Sequence, residues 1–408
     1  MSRMPLEKSP MRTPAGRIAE LADQCVQCGL CLPVCPTYAL DRSEAESPRG
    51  RIAIASALAR GLVDPTSELR SHLDHCLGCL NCEKVCPAHV QYDELLIQTR
   101  SMLGPDKERP KWLLGMLRRP GLLRCLQQLG GATSLPRWKG SLAAWLPTAS
   151  MLRSALMALP SSPSSARARA AQTTNNIEGR IVALFPGCVA SVMDAQAQQS
   201  AIELLQHVGY RVSVLPAFCC GAMDLHGGAS AAAEQSATQV REAWAKSGAT
   251  LLVSVTPGCI GTLRRALPDV AVADPVELLA DRADALRFRP LAQRIALHLP
   301  CTQVNVARSD AALITLLRRI PDLEVMPLPR PPYCCGAAGT HMLEFPERAA
   351  RLREGTLERI TALAPQQLLS SNIGCRLHLA AGLDEHGHTL LQQHPLSLLA
   401  QQLEPNIP

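Results

Sequence analysis

Cysteine spacing constrains this chain more than any other feature. CVQCGLCLPVCP (residues 25–36) and CLGCLNCEKVCP (residues 76–87) both spell Cys-x2-Cys-x2-Cys-x3-Cys-Pro. That spacing lets a short winding backbone aim its thiolates at one cube of iron and sulfide, and two copies predict two [4Fe-4S] clusters. In two-cluster proteins of this type the fourth cysteine of each run ligates the other cluster. One ligand set is then Cys25, Cys28, Cys31 and Cys86, and the other is Cys76, Cys79, Cys82 and Cys35. Paired Cys-x2-Cys also binds structural zinc, but zinc accounts for neither the third cysteine nor the proline.

The 17 cysteines of this 408-residue chain pose a choice between secreted disulfides and metal sites. The start, MSRMPLEKSPMRTPAGR, is basic and Pro-rich and lacks the apolar stretch of a secretory signal, so a cytoplasmic protein is expected. No run reaches the roughly 20 apolar residues of a membrane-spanning helix. A net charge of +6 is mild for this length, and few aromatics accompany it, so nucleic acid is not an expected partner.

Four regions follow from the cysteine distribution. Residues 1–104 form the ferredoxin-type domain. It is expected to be helical, because RGRIAIASALARGL stands between the two cysteine runs, where a compact bacterial ferredoxin has strands and turns. Arg49 and Arg51 there either offset cluster charge or cap the helix. Residues 105–178 read as a helical connector and a Ser/Ala/Pro-rich linker. Its basic amphipathic pieces, KWLLGMLRRPGLLRCLQQLGG and SLAAWLPTASMLRSALMALP, suit packing against a partner or a neighbouring domain more than a membrane surface. Cys125 within the first piece reads as a buried apolar residue.

Residues 179–290 and 291–408 are an internal repeat. RIVALFPGC matches RIALHLPC, AFCCGAMDLHG matches PYCCGAAGTHM, and SVTPGCIGTL matches SSNIGCRLHL. Between these landmarks the pattern runs strand, helix, strand, Cys-Cys-Gly, helix, strand, which implies βαβ units and mainly parallel sheet. The fold expected is therefore an α-helical two-cluster ferredoxin domain followed by an α/β domain of two pseudo-repeated βαβ-rich Cys-Cys-Gly units. Ligand sites in such sheets lie beyond the carboxyl ends of the strands, where the repeat puts its cysteines.

Each repeat thus offers four candidate ligands of a further iron-sulfur cluster: Cys188, Cys219, Cys220 and Cys259, then Cys301, Cys334, Cys335 and Cys375. Soft thiolates select iron-sulfur or zinc; buried apolar cysteines or a dithiol redox site are the alternatives. Adjacent cysteines point apart in an extended strand, so Gly221 and Gly336 are expected to permit a tight backbone that turns both thiols to one centre. His226 and His341 follow the two motifs and read as structural histidines, with metal binding or proton movement as the alternative. Asp224 has no counterpart and is unassigned. No Gly-x-Gly-x-x-Gly and no phosphate loop is visible, so flavin is expected only on another chain.

With these motifs the chain resembles the family that contains heterodisulfide reductase B-type subunits and the iron-sulfur subunits of flavin-dependent hydroxyacid dehydrogenases. Within it, ESPRGRIAIA, HCLGCLNCEKVCP, LPCTQ, YCCGAAGTHML and SNIGCRLHL are most similar to iron-sulfur subunits of glycolate oxidases, or glycolate dehydrogenases. The resemblance implies an electron-transfer subunit without a catalytic residue of its own. Its partners would be flavoprotein subunits that oxidise glycolate to glyoxylate, its acceptor a quinone or a membrane electron-transfer chain, and its place the cytoplasm or the cytoplasmic face of the inner membrane. Subunits of D-lactate or glycerol 3-phosphate dehydrogenases and heterodisulfide reductase-like subunits are the alternatives. The fullest Cys-Cys-Gly pattern ends in Cys-x2-Cys, whereas Thr256 and Asn372 stand at its first cysteine here. That departure argues against five-cysteine non-cubane clusters and against direct disulfide reduction.

Overall fold

The computed structural model describes residues 13–107, 111–125, 145, 146, 150, 153, 156 and 180–405. Most of the expected connector and linker, residues 105–178, lies outside the described residues. The chain forms two compact units: Met1–Arg109 with Met223–Ala232, and Pro110–Ala222 with Ala233–Pro408.

The first unit is helical and, among the described residues, has no strand. Local chemistry starts its helices. Thr13 and Ser47 cap Pro14–Asp23 and Pro48–Ala59, their hydroxyls accepting from the Gly16 and Gly50 amides at 3.0 Å, with proline in each first turn. Thr66 caps Ser67–Asp74 in the same way. These two helices pack with Tyr92–Leu103 around Ile18, Leu21, Ala55 and Leu95, all fully buried. The segment between the cysteine runs is thus mostly helix, as RGRIAIASALARGL implies.

In the second unit two parallel sheets of four strands carry the fold. The first comprises β1 (Ile181–Leu184), β2 (Arg211–Val214), β3 (Leu251–Val253) and β4 (Val272–Ala273), in the order β2-β1-β3-β4. The second comprises β5 (Arg294–His298), β6 (Glu324–Pro327), β7 (Gln367–Ser370) and β8 (Leu391–Gln393), in the order β6-β5-β7-β8. The central strands of the first sheet are largely buried and accordingly apolar, as in IVAL and LLV. One apolar core joins both sheets, with Val182, Leu184, Ile295 and Leu297 fully buried in it. A buried ion pair, Arg376 Nη2 to Asp194 Oδ1 at 2.6 Å, ties the helix Ile373–Glu385 to the start of Ala195–His207.

Cys125 departs from expectation: it is exposed. Residues 120–125 are helical, and Leu123 is the buried residue there. Two positions along a helix turn through about 200°, so a helix that buries Leu123 points Cys125 outward.

Candidate metal centres

Both cysteine runs of the first unit wind in the same way. Gln27 and Gly29, two and four residues after Cys25, have positive φ (54° and 83°), and so do Gly78 and Leu80 after Cys76 (59° and 60°). Repeated left-handed residues curl each loop back on itself, so that its cysteines face inward rather than along an extended strand. A pocket lined by Cys25, Cys28, Cys31 and Cys86 also takes in Arg49 and Tyr92. Cys82 is buried, and its thiol is pushed well up, first by burial and then by the neighbouring charges of Cys79, Cys76, Cys35 and Cys31. Cys86 therefore lies by the first three cysteines of the first run, and Cys35 lies near Cys82 of the second.

Polar groups surround these sulfurs. The Arg49 amide donates to Cys31, whose thiol is raised by burial against that bond. The Arg49 side chain bonds Glu44 and the Gln27 carbonyl. Thr37 Oγ1 lies 3.2 Å from Cys35 Sγ, and the Tyr92 hydroxyl 3.6 Å from Cys76 Sγ. Arg51 is only 1% exposed; it donates to the Glu46 carboxylate at 2.6 Å, to the Glu46 and His72 carbonyls and to Thr37. Burial lowers the pKa of this guanidinium, yet the charges of Cys76, Tyr92, Cys35 and Glu46 raise it overall, so Arg51 is a fixed cation beside the sulfurs. Glu46 also bonds His72 and His75 at 2.8 and 2.7 Å. Burial opposes its charge, but these histidines and Arg51 hold its carboxyl down at about 2. Ser47, not an arginine, caps the helix.

In the second unit the eight remaining candidates gather as two sets of four, each beyond the carboxyl ends of three neighbouring strands. Cys188 follows β1, Cys219 and Cys220 follow β2, and Cys259 follows β3. Cys188, Cys219, Cys220 and Cys259 form a chain of thiol contacts in that order. Hydrogen bonds from Cys188 and Cys220 bring Cys219 down to about 3 against burial, helped by the Gly221 amide and the Arg118 charge. Cys220 is driven up instead, first by its bonds with Cys219 and Cys259 and then by burial. The second set repeats the plan after β5, β6 and β7. Cys335 Sγ lies 2.9 Å from Cys375 Sγ, and Cys334 is bonded to Cys335. Burial pushes Cys301 up to about 12, with the Cys334 charge adding to it.

Glycine earns its place in both motifs. Gly221 and Gly336 have φ of 87° and 74°, and their amides donate to Cys219 Sγ and Cys334 Sγ at 3.4 and 3.3 Å. A Cβ on Gly336 would lie 2.3 Å from the Ala349 carbonyl oxygen, and one on Gly221 would lie 2.9 Å from Ser236 Cβ.

These donor sets suit a soft, positively charged centre. Four sulfurs packed together cannot all ionise against one another's charge, whereas bound metal supplies the positive charge that lets thiolates form. Backbone amides aimed at sulfur favour the thiolate further.

Comparison with known proteins agrees with this donor chemistry. Residues 21–90 match the 4Fe-4S dicluster domain family, and residues 182–264 and 295–380 each match the cysteine-rich domain family. The chain is 29% identical to the glycolate oxidase iron-sulfur subunit of Escherichia coli strain K12, over 93% of this chain and 94% of that one. It is 26% identical to a probable glycolate oxidase iron-sulfur subunit of Bacillus subtilis strain 168, over 89% of each. The chain is a homologue of the glycolate oxidase iron-sulfur subunits. Lactate utilization protein A of an Exiguobacterium species is a shorter relative, 23% identical over 53% of this chain and 96% of its own length.

The other residues singled out in this homologue divide by place. His226 belongs to the first unit, where its carbonyl accepts from Arg100 Nη1 at 2.9 Å; Arg100 Nη2 also donates to the Cys76 carbonyl at 3.0 Å. His341 is buried at the start of the helix His341–Glu344, its ring 5.1 Å from that of Phe345. Asp224 is buried in the short helix Ala222–Leu225. Thr256 and Asn372 are the N-cap residues of Pro257–Ala266 and Ile373–Glu385. Asn372 Oδ1 accepts from the Gly374 and Cys375 amides at 2.9 and 3.3 Å, so a side chain in the place of the extra cysteine closes a helix.

Sequence reasoning passed over His298. Its ring nitrogen, Cys335 Sγ and Cys375 Sγ lie within 4.8 Å of one another. Burial, with the Arg330 charge, takes its pKa down to about 4, so the ring is neutral at pH 7. The signal was present in the repeat itself, where RIALHLPC has a histidine and RIVALFPGC a phenylalanine.

Proposed function

We propose that this chain is the electron-transfer subunit of a glycolate-oxidising complex. In this reading the first unit holds two [4Fe-4S] clusters, one on Cys25, Cys28, Cys31 and Cys86 and the other on Cys76, Cys79, Cys82 and Cys35. The cysteine quartets of residues 179–290 and 291–408, two copies of one pseudo-repeat, hold further iron-sulfur groups. Bound in these places, such clusters supply reversible one-electron transfer. The protein supplies thiolates, amide donors and the buried Arg51 cation, which together set how much negative charge each site tolerates. Flavoprotein subunits would oxidise glycolate to glyoxylate, and a quinone-linked acceptor would take the electrons. No helix of the described residues is long and apolar enough to cross a membrane, so docking at the cytoplasmic face would run through partners.

The observation that supports the reading is the pair of similarly wound loops, with Cys86 lining one pocket with Cys25, Cys28 and Cys31, and Cys35 near Cys82. Iron and acid-labile sulfide, measured with electron paramagnetic resonance on anaerobically purified protein, test it. About eight irons belong to the first unit. Any excess that falls in Cys220→Ser or Cys335→Ser belongs to the repeats. The isolated chain should accept electrons from a chemical reductant and leave glycolate untouched, oxidising it only when reconstituted with flavoprotein subunits. Turnover of glycolate by the pure chain would refute this division of labour.

A further inference from the structure

The two sheets treat one equivalent position differently. β1 pairs Leu184 with Val253, and β5 pairs Leu297 with Leu369. One residue further along the chain stands Phe185 in the first sheet and His298 in the second. Phe185 is fully buried and meets Phe218 edge-on, ring centres 5.3 Å apart, an apolar use of the place. His298 is buried as well, yet it brings a nitrogen donor within 4.8 Å of Cys335 Sγ and Cys375 Sγ. Filling the space requires only an aromatic ring, as Phe185 demonstrates, so the imidazole adds a donor that packing does not demand.

Two further features point the same way. His298 Nδ1 and Ser370 Oγ form a buried 2.9 Å hydrogen bond across the β5–β7 pair. Metal-ligating histidines are held in this manner: the nitrogen away from the metal donates its proton to a fixed acceptor, which orients the ring and leaves the other nitrogen with its lone pair. Asn372, in the place of the additional cysteine, spends its side-chain oxygen on the amides of Gly374 and Cys375.

We propose that His298 is a metal ligand of the second Cys-Cys-Gly site, through Nε2, giving that site a mixed imidazole–thiolate donor set where the first has thiolates alone. This rests on the reading of the second quartet as a metal centre. Imidazole and thiolate together suit iron. A four-ligand centre that takes this imidazole binds one thiolate fewer than the first site, which makes it less negative and raises its reduction potential. The two halves of the pseudo-repeat are then unequal, and the second is the more oxidising.

Pulsed electron paramagnetic resonance on the full chain, grown with [15N]histidine and compared with unlabelled protein, tests the assignment. The expected result is a strongly coupled histidine nitrogen on a signal that Cys335→Ser abolishes. His298→Asn should remove that coupling, and His298→Cys should remove it while keeping the iron. A Cys335-dependent signal without histidine nitrogen coupling, or with coupling that survives both His298 variants, overturns the ligand assignment and leaves the metal centre standing. Iron content and spectra unchanged by Cys335→Ser overturn both. The labelled wild-type spectrum needs no substitution, so absent coupling is decisive even where a His298 variant does not fold.

Discussion

Two neighbouring glycines separate backbone conformation from close packing at the second cysteine quartet. Gly336 and Gly339 have nearly the same left-handed φ, 74° and 66°. An alanine in that region costs about 1–2 kcal/mol for its Cβ alone, which is the whole expected cost of Gly339→Ala, since its Cβ would meet nothing within 4 Å. At Gly336 the added carbon falls 2.3 Å from the Ala349 carbonyl oxygen, where ordinary contact begins at 3.4 Å. Either the loop or the helix Pro346–Leu363 must give way by roughly an ångström, an overpacking cost of about 1–3 kcal/mol on top of the first. Gly336→Ala should therefore lose about 2–5 kcal/mol. The shift also drags the amide off Cys334 Sγ, so iron bound at the proposed second-repeat site should fall with stability. Urea unfolding of the full chain, followed by far-ultraviolet circular dichroism beside iron analysis, reads both effects. Equal midpoint shifts for the two variants would refute the packing account and leave only the φ penalty.

Three other outcomes follow from single groups. Arg51→Met leaves Glu46 charged and buried without its 2.6 Å partner, at a cost of about 3–5 kcal/mol; thermal unfolding should show this, while Arg17→Met at the exposed Arg17–Glu20 pair should shift the midpoint little. Burial takes Asp274 from 3.8 up to about 7, so the folded chain keeps a proton that the unfolded chain has lost; its contribution is full below about pH 4 and fades by pH 7, in all about 4 kcal/mol. Asp274→Asn, which keeps a capping side chain, should gain on the wild type in urea midpoint from pH 5 to 8, and parallel profiles would contradict that assignment. If the first unit holds the two proposed clusters, Cys82→Ser should cost about four irons, the cubane that Cys82 would ligate.

The elements that sequence made legible are those with long, strongly periodic segments. QSAIELLQHVG and RAARLREGTLERITALA lie in the helices Ala195–His207 and Pro346–Leu363 up to their last one or two residues, and TLLVSV and QQLLSS contain β3 and β7. The outer strands β4 and β8 escaped notice because Val272–Ala273 and Leu391–Gln393 are too short for any alternation to appear. Cys125 was misread for a related reason. Its segment is rich in leucine on several faces, so composition marks burial without saying which side is buried, and Leu123 took the inner position.

Side-chain networks between distant segments were the least legible part. Thr37, Glu46, Arg51, His72 and His75 come from different helices and turns, and their spacing in the chain carries no period that would join them. What brings them together is a charge requirement. A fixed cation near several sulfurs must itself be taken out of water, and Arg51 is tolerable at 1% exposure only because Glu46 neutralises it. Glu46 in turn stays ionised because two histidines and the arginine share its oxygens. The same logic explains why Arg49 and Arg51, two residues apart in ESPRGR, have different fates: Arg49 is at the surface with Glu44, and Arg51 turns inward. A stretch that reads as a simple helix start is, in three dimensions, where the first unit anchors the electrostatics of its cysteine loops.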